Sequence, residues 1–140
     1  MTVKQWLNRG YRINEEINEL VKEQKQALLQ ATSTALSGGE GEKVQSSNGN
    51  TTERRFVNYA AYSETIDKRI DELYSIKNEI LTAINSVDDN TLRELLILRY
   101  VKFYKWEEIA EKMNYSKRRV YDFHGRALKY IFEIIYERLQ

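Results

Sequence analysis

Tyr59, Ile66, Leu73 and Ile80 recur at intervals of seven, and Ile70 and Ile84 form a second seam with Ser63 and Lys77 in its phase. Seven residues are close to two turns of α-helix, so each set lies along one side of a long helix from about Arg54 to Ser86. The seam is heptad-like but broken by polar residues. A matching stripe runs from about Val3 to Leu36 through Trp6, Ile13, Ile17, Leu20, Ala27 (or Leu28) and Ala31, with Gln24 in the same phase. Proline, which would break either helix, is absent from all 140 residues. Neither helix can hide its stripe alone. The chain is therefore expected to be all-α, its N-terminal part either a helical hairpin within one chain or a coiled coil between two.

Between the stripes stands "SGGEGEKVQSSNGNTT", Ser37 to Thr52, with four of the six glycines and almost nothing to bury. Such a stretch cannot offset the entropy lost on ordering. It predicts a flexible linker over residues 37–53, with Thr51 or Thr52 capping the next helix. The expected organisation is a long helix over 1–36, the linker, a second long helix over 54–87, and a C-terminal domain over 88–140.

That last part opens at "SVDDNTLRELLILRY". Asp88 or Asp89 is the expected N-cap, and Leu92, Leu95, Leu96 and Leu98 form a dense apolar face through Tyr100. "KWEEIAEKMNYS" then reads as a helix of about two turns. Asn114 stands where a left-handed residue ends a helix, and Ser116 is a strong N-cap for the next, which runs to near Leu139. Ile109, Ala110 and Met113 mark one side of the first helix. Val120, Phe123, Ala127 and Ile131 mark one side of the second. Two short-linked helices with facing apolar sides form the pattern of a helix-turn-helix.

If Val120 and Phe123 pack inward, Lys117, Arg118, Tyr121, Asp122 and Gly125 face outward, flanked by Arg119 and Arg126. From Asn114 to Lys129 there are five cations and one anion, a local +4 against +1 for the whole chain. The first turn holds three cations, which oppose the helix dipole there. Phosphate oxygens approaching that end would reverse the sign of the effect. The expected partner is double-stranded DNA. Lys117, Arg118, Tyr121 and Asp122 are the candidate base contacts, since Lys and Arg suit guanine and Asp can accept from cytosine. Ser116, Arg119, Arg126, Lys129 and Lys105 are the candidate phosphate contacts, which position without specifying.

Other chemistries find little support. There is no cysteine and one histidine, so disulfides, thiolate sites and histidine-rich metal sites are excluded. His124 has no nucleophile and orienting group beside it in a matching pattern, and a structural or phosphate-contacting role is expected. Glu15-Glu16, Asp88-Asp89 and Glu107-Glu108 are adjacent pairs whose members diverge on a helix, and they read as caps and solvated faces. No enzyme activity, metal or cofactor is expected. Trp6 and Trp106 read as core anchors. The N-terminus lacks a signal-peptide pattern and no apolar run is long enough to span a membrane, so the expectation is a soluble cytoplasmic protein.

"DDNTLRELLILRYVKFYKWEEIAEKMNYSKRRVYDFHGRALKYI" resembles the C-terminal helix-turn-helix of sigma factors, which reads the −35 promoter element. The shared features are an apolar helix ending near Arg99-Tyr100, then "WEEIAEKM", a turn, a Ser cap, a basic helix and the pair Ala127-Leu128. Asn114 departs from the usual glycine, and His124 and Gly125 are unusual in such a helix. Over its length the chain is similar to small phage and prophage proteins of Gram-positive bacteria, among them RinA-like and ArpU-like transcriptional regulators. That similarity is carried by "WLNRGYRINEEINEL", "KVQSS", "YSETIDKRIDEL" and "FHGRAL". It implies regulation of late or packaging genes by promoter binding in a bacterial host cell. A homodimer, which doubles the DNA read, is the favoured assembly. RNA polymerase is a candidate partner for the long helices. The alternatives are a small terminase-like subunit that recognises packaging DNA, distinguished by assembling into a large ring, and a helical protein-interaction module without DNA binding.

Overall fold

The computed structural model describes residues 1–38 and 46–139. Among them all regular structure is helical: α1 Val3–Asn8, α2 Ile13–Gly38, α3 Ser46–Asn85, α4 Asn90–Leu96, a π-helical turn Ile97–Val101, α5 Trp106–Met113, α6 Lys117–Ile135 and a closing 3₁₀ turn Tyr136–Leu139. The protein is all-α, as its periodicity implies. It divides into two units, one of Asn14–Leu73 and one of Met1–Ile13 with Tyr74–Gln140.

The first unit is an antiparallel pair of helices within one chain. Glu16 on α2 meets Arg69 on α3 at 3.0 Å, and Glu23 meets the Tyr62 hydroxyl at 2.9 Å, so rising numbers on α2 run against falling numbers on α3. Ile17, Ala31, Ile66 and Leu73 are buried between them. Tyr59, Leu20 and Ala27 are half-buried, while Leu28 points out, so Ala27 carries the stripe. Phe56 does not join the seam and is 39% exposed. The polar interruptions of the two stripes find each other: Gln24 Nε2 donates to Ser63 Oγ at 3.1 Å, to the Ser63 carbonyl at 3.2 Å and to Asp67 at 2.7 Å. A polar pair inside an apolar seam trades stability for register, because any slip leaves the amide facing hydrocarbon.

Two expectations are corrected here. Residues 37–38 and 46–53, expected as linker, are helical, and with α3 starting at Ser46 neither Thr51 nor Thr52 caps it. Extending a helix fixes one residue per hydrogen bond gained, which is far cheaper than starting one. The rest of the expected linker, 39–45, lies outside the described residues. The N-terminal stripe is also not one helix. The chain turns at residues 9–12, where Arg12 adopts φ 63°. Gly10 is buried at this turn, and a Cβ there would meet Ile80 Cδ1 at 3.2 Å. The turn separates Trp6 and Leu7 from the hairpin and places them in the second unit.

The second unit therefore extends beyond the expected 88–140. Trp6, Leu7, Ile80, Ala83, Ile84 and Val87 share one core with Leu92, Leu95, Leu96, Leu98, Tyr100, Ile109, Val120, Ala127, Ile131 and Ile135. α1 and the end of α3 join the helices after residue 88 in this core and so bury apolar surface that those helices would otherwise leave in water. Asp89 caps α4, accepting from the Leu92 N–H at 3.0 Å.

Candidate nucleic-acid interface

α5 ends in a left-handed residue, Asn114, at φ 60° and ψ 41°. Its N–H donates to the Glu111 carbonyl at 3.3 Å, and the Tyr115 N–H reaches the Ala110 carbonyl at 3.1 Å. This double closure satisfies the orphan carbonyls of the helix end and sends the chain sharply back. Asparagine does here what glycine does elsewhere, since its short polar side chain tolerates the left-handed region. Ser116 Oγ then accepts from the Arg119 N–H at 3.2 Å and starts α6. The Tyr115 ring meets Phe123 edge-on at 5.0 Å and holds the turn against α6.

The two faces of α6 are as the spacing predicts. Val120, Phe123, Ala127 and Ile131 are buried. Ser116, Lys117, Arg118, Arg119, Tyr121, Asp122, Gly125, Arg126 and Lys129 are exposed, and so is Lys105 before α5. Arg118, Asp122 and Lys129 make no ion pair or side-chain hydrogen bond among the described residues. Arg119 and Arg126 both lie over the Phe123 ring, at 5.3 and 5.7 Å from its centroid, which steadies both guanidinium groups beside the face. Lys117 is less available than the spacing implies. Its Nζ pairs with Glu107 on α5 at 3.2 Å. The Glu107 carboxyl is held below its usual range, first by its own backbone N–H and then by Lys117. Lys105 contributes through its backbone, which donates to Glu108 at 3.1 Å and closes the start of α5.

The first turn of α6 has no acid, whereas α2 and α5 both begin with a pair of glutamates. The first turn of α6 instead carries three cations, Lys117, Arg118 and Arg119, which oppose the helix dipole.

The family model described as "Protein of unknown function (DUF1492)" matches residues 32–131. The protein belongs to this family. No curated protein and no solved structure matches it. The match to DUF1492 covers all of α3, α4 and α5 and most of α6, so the exposed cationic face lies inside it, while α1 lies outside.

Two residues that sequence alone left unexplained separate here. His124 faces inward, 6% exposed, and shares a 2.7 Å hydrogen bond with the Tyr100 hydroxyl. Of the structural and phosphate-contacting roles expected for His124, its position is that of a core residue, since positions 120, 124, 127 and 131 form one helical stripe. Gly125 is the opposite case. It faces outward, and a Cβ built there meets nothing within 4 Å. The fold does not require it, and glycine inside a helix costs about 1 kcal/mol against alanine. Gly125→Ala is therefore expected to raise stability by about 0.5–1 kcal/mol in urea titration; a destabilised variant would mean that the position has a packing role.

Proposed function

We propose that this DUF1492 protein is a DNA-binding transcriptional regulator of phage origin, related to RinA-like and ArpU-like regulators, with α5 and α6 as its helix-turn-helix. The observation that carries it is the division of α6: Val120, Phe123, Ala127 and Ile131 are used in packing, and the outward face holds five cations against one carboxylate, Asp122, with only Lys117 in an ion pair among the described residues. Arg118, Tyr121 and Asp122 are the base-reading residues, with Lys117 joining by exchanging Glu107 for DNA. Ser116, Arg119, Arg126, Lys129 and Lys105 engage phosphates. The protein acts as a homodimer on late or packaging promoters, and the helical hairpin offers the surface for RNA polymerase.

Footprinting across the phage late region, followed by anisotropy on the protected fragment, tests this. Arg118→Ala is expected to lose about 1–3 kcal/mol, or roughly 5- to 150-fold in affinity, on that fragment but little on a scrambled duplex. Arg118 is exposed and unpaired, so its removal leaves the fold unchanged. Equal affinity of wild type and variant on both duplexes overturns the assignment of this face, and the absence of salt-dependent binding overturns DNA recognition altogether.

A further inference from the structure

A pocket of about 190 Å³ opens beside the outward face of α6, lined by Lys4, Asn8, Arg99, Tyr100, Trp106, Tyr121 and His124. All seven belong to the unit that contains α6. Its floor is the hydrogen-bonded pair Tyr100 and His124. Its walls are Trp106, whose ring meets Tyr121 at 5.2 Å and His124 at 4.7 Å. The π-helical turn carries Arg99 to its edge. There the guanidinium is held by the Tyr104 carbonyl at 2.9 Å and lies over Trp106 at 4.5 Å. α1 supplies Lys4 and Asn8.

The chemistry of this lining is one-sided. It has two cations and no carboxylate. Neither Lys4 nor Arg99 has an ion-pair partner among the described residues. The buried pair His124 and Tyr100 supplies no negative charge at neutral pH: burial, then Lys4 and Arg99, lowers the His124 pKa to about 4, and burial raises Tyr100 to about 12. Two cations sharing a concave site with neutral rings favour an anion whose attached ring, a sugar or a base, can lie against an aromatic face. The volume lies below the roughly 300–1,000 Å³ of sites that enclose a drug-sized ligand, which suits one phosphate with its adjoining ring. Tyr121 is both a wall of the pocket and a neighbour of Arg118 and Asp122 on the exposed face.

We propose that this pocket is a phosphate-binding site in which Lys4 and Arg99 hold one phosphate group and Trp106 and Tyr121 pack against the ring next to it. It deepens the DNA-binding reading, on which it rests for its main source of phosphate, the strand lying along α6. It brings α1, a segment outside the helix-turn-helix and outside the family match, into the interface. A free mononucleotide has the same chemistry and is the second source.

Lys4 is exposed and unpaired, so Lys4→Ala keeps the fold, and Lys22→Ala on the hairpin serves as control. With the full-length chain, Lys4→Ala is expected to weaken binding severalfold on the protected fragment and on a scrambled duplex alike. It should also reduce the slope of log affinity against log salt by about one, the signature of one lost phosphate contact. Calorimetric titration with AMP supplies the second arm. AMP binding that Lys4→Ala abolishes, with an unchanged salt slope on DNA, assigns the pocket to a free nucleotide. If wild type binds DNA while Lys4→Ala alters neither the salt slope nor AMP binding, the pocket proposal is overturned and DNA recognition stands. If wild type binds no DNA, that recognition falls and the AMP arm alone decides the pocket.

Discussion

Ile131→Ala is expected to destabilise the unit containing α6 by about 3–4 kcal/mol. Ile131 is completely buried, in one core with Leu95, Leu96, Ile109 and residues of α1 and α3. Shortening it removes three carbons from contact on every side and leaves a void that close-packed neighbours only partly fill. Since a domain has only about 5–15 kcal/mol to lose, the change takes a large share of the total. Ile134, three residues on, is 40% exposed and is the internal control, with an expected loss below about 1 kcal/mol for Ile134→Ala. Native-state hydrogen exchange of α6 amides reads the effect locally, independent of the hairpin. Equal effects at the two positions would show that α6 does not present the face described.

Acid should weaken the same unit through His124. Its folded pKa is lowered to about 4 from a usual 6.5, chiefly by burial and then by Lys4 and Arg99. Between those values the unfolded chain binds a proton that the folded chain refuses, so stability falls as pH falls from about 6.5 toward 4 and levels off below. The full shift would correspond to roughly 3 kcal/mol; about 2 kcal/mol is expected because the ring borders an open pocket where water screens the charge. Urea midpoints at pH 7 and pH 4.5 for wild type and His124→Gln isolate the contribution from that of the carboxylates. The glutamine keeps a polar partner for Tyr100 and cannot titrate. An identical pH dependence in the two proteins would sink the assignment.

The helices, the all-α class and both faces of α6 were legible because helical periodicity needs no knowledge of the partner. Leu92, Leu95, Leu96 and Leu98 read as core and are core. The caps Asp89, Asn114 and Ser116 were legible for the same local reason, since each acts on groups within a few residues. The turn at residues 9–12 was not. Nothing in the local pattern marks Gly10 as the residue that must be small where Ile80 and Tyr100 stand beside it, or Arg12 as the residue that takes a positive φ. Of the candidate site, exposure of Arg118, Tyr121 and Asp122 followed from the stripe, but the pairing of Lys117 with Glu107 depends on how α5 and α6 cross.

By itself the sequence determined the all-α class, the caps at Asp89, Asn114 and Ser116 and which side of α6 is apolar, since capping and amphipathicity are set by neighbours one to four residues away. Only the tertiary structure decided that α1 leaves the hairpin to join the α6 core, that Gln24 and Ser63 meet, and that Lys4, Arg99 and Trp106 surround one pocket. Lys4 and Trp106 are about a hundred residues apart in the chain. What brings them together is burial of apolar surface, which rewards area removed from water whatever the separation along the chain, and so leaves no local signature to read.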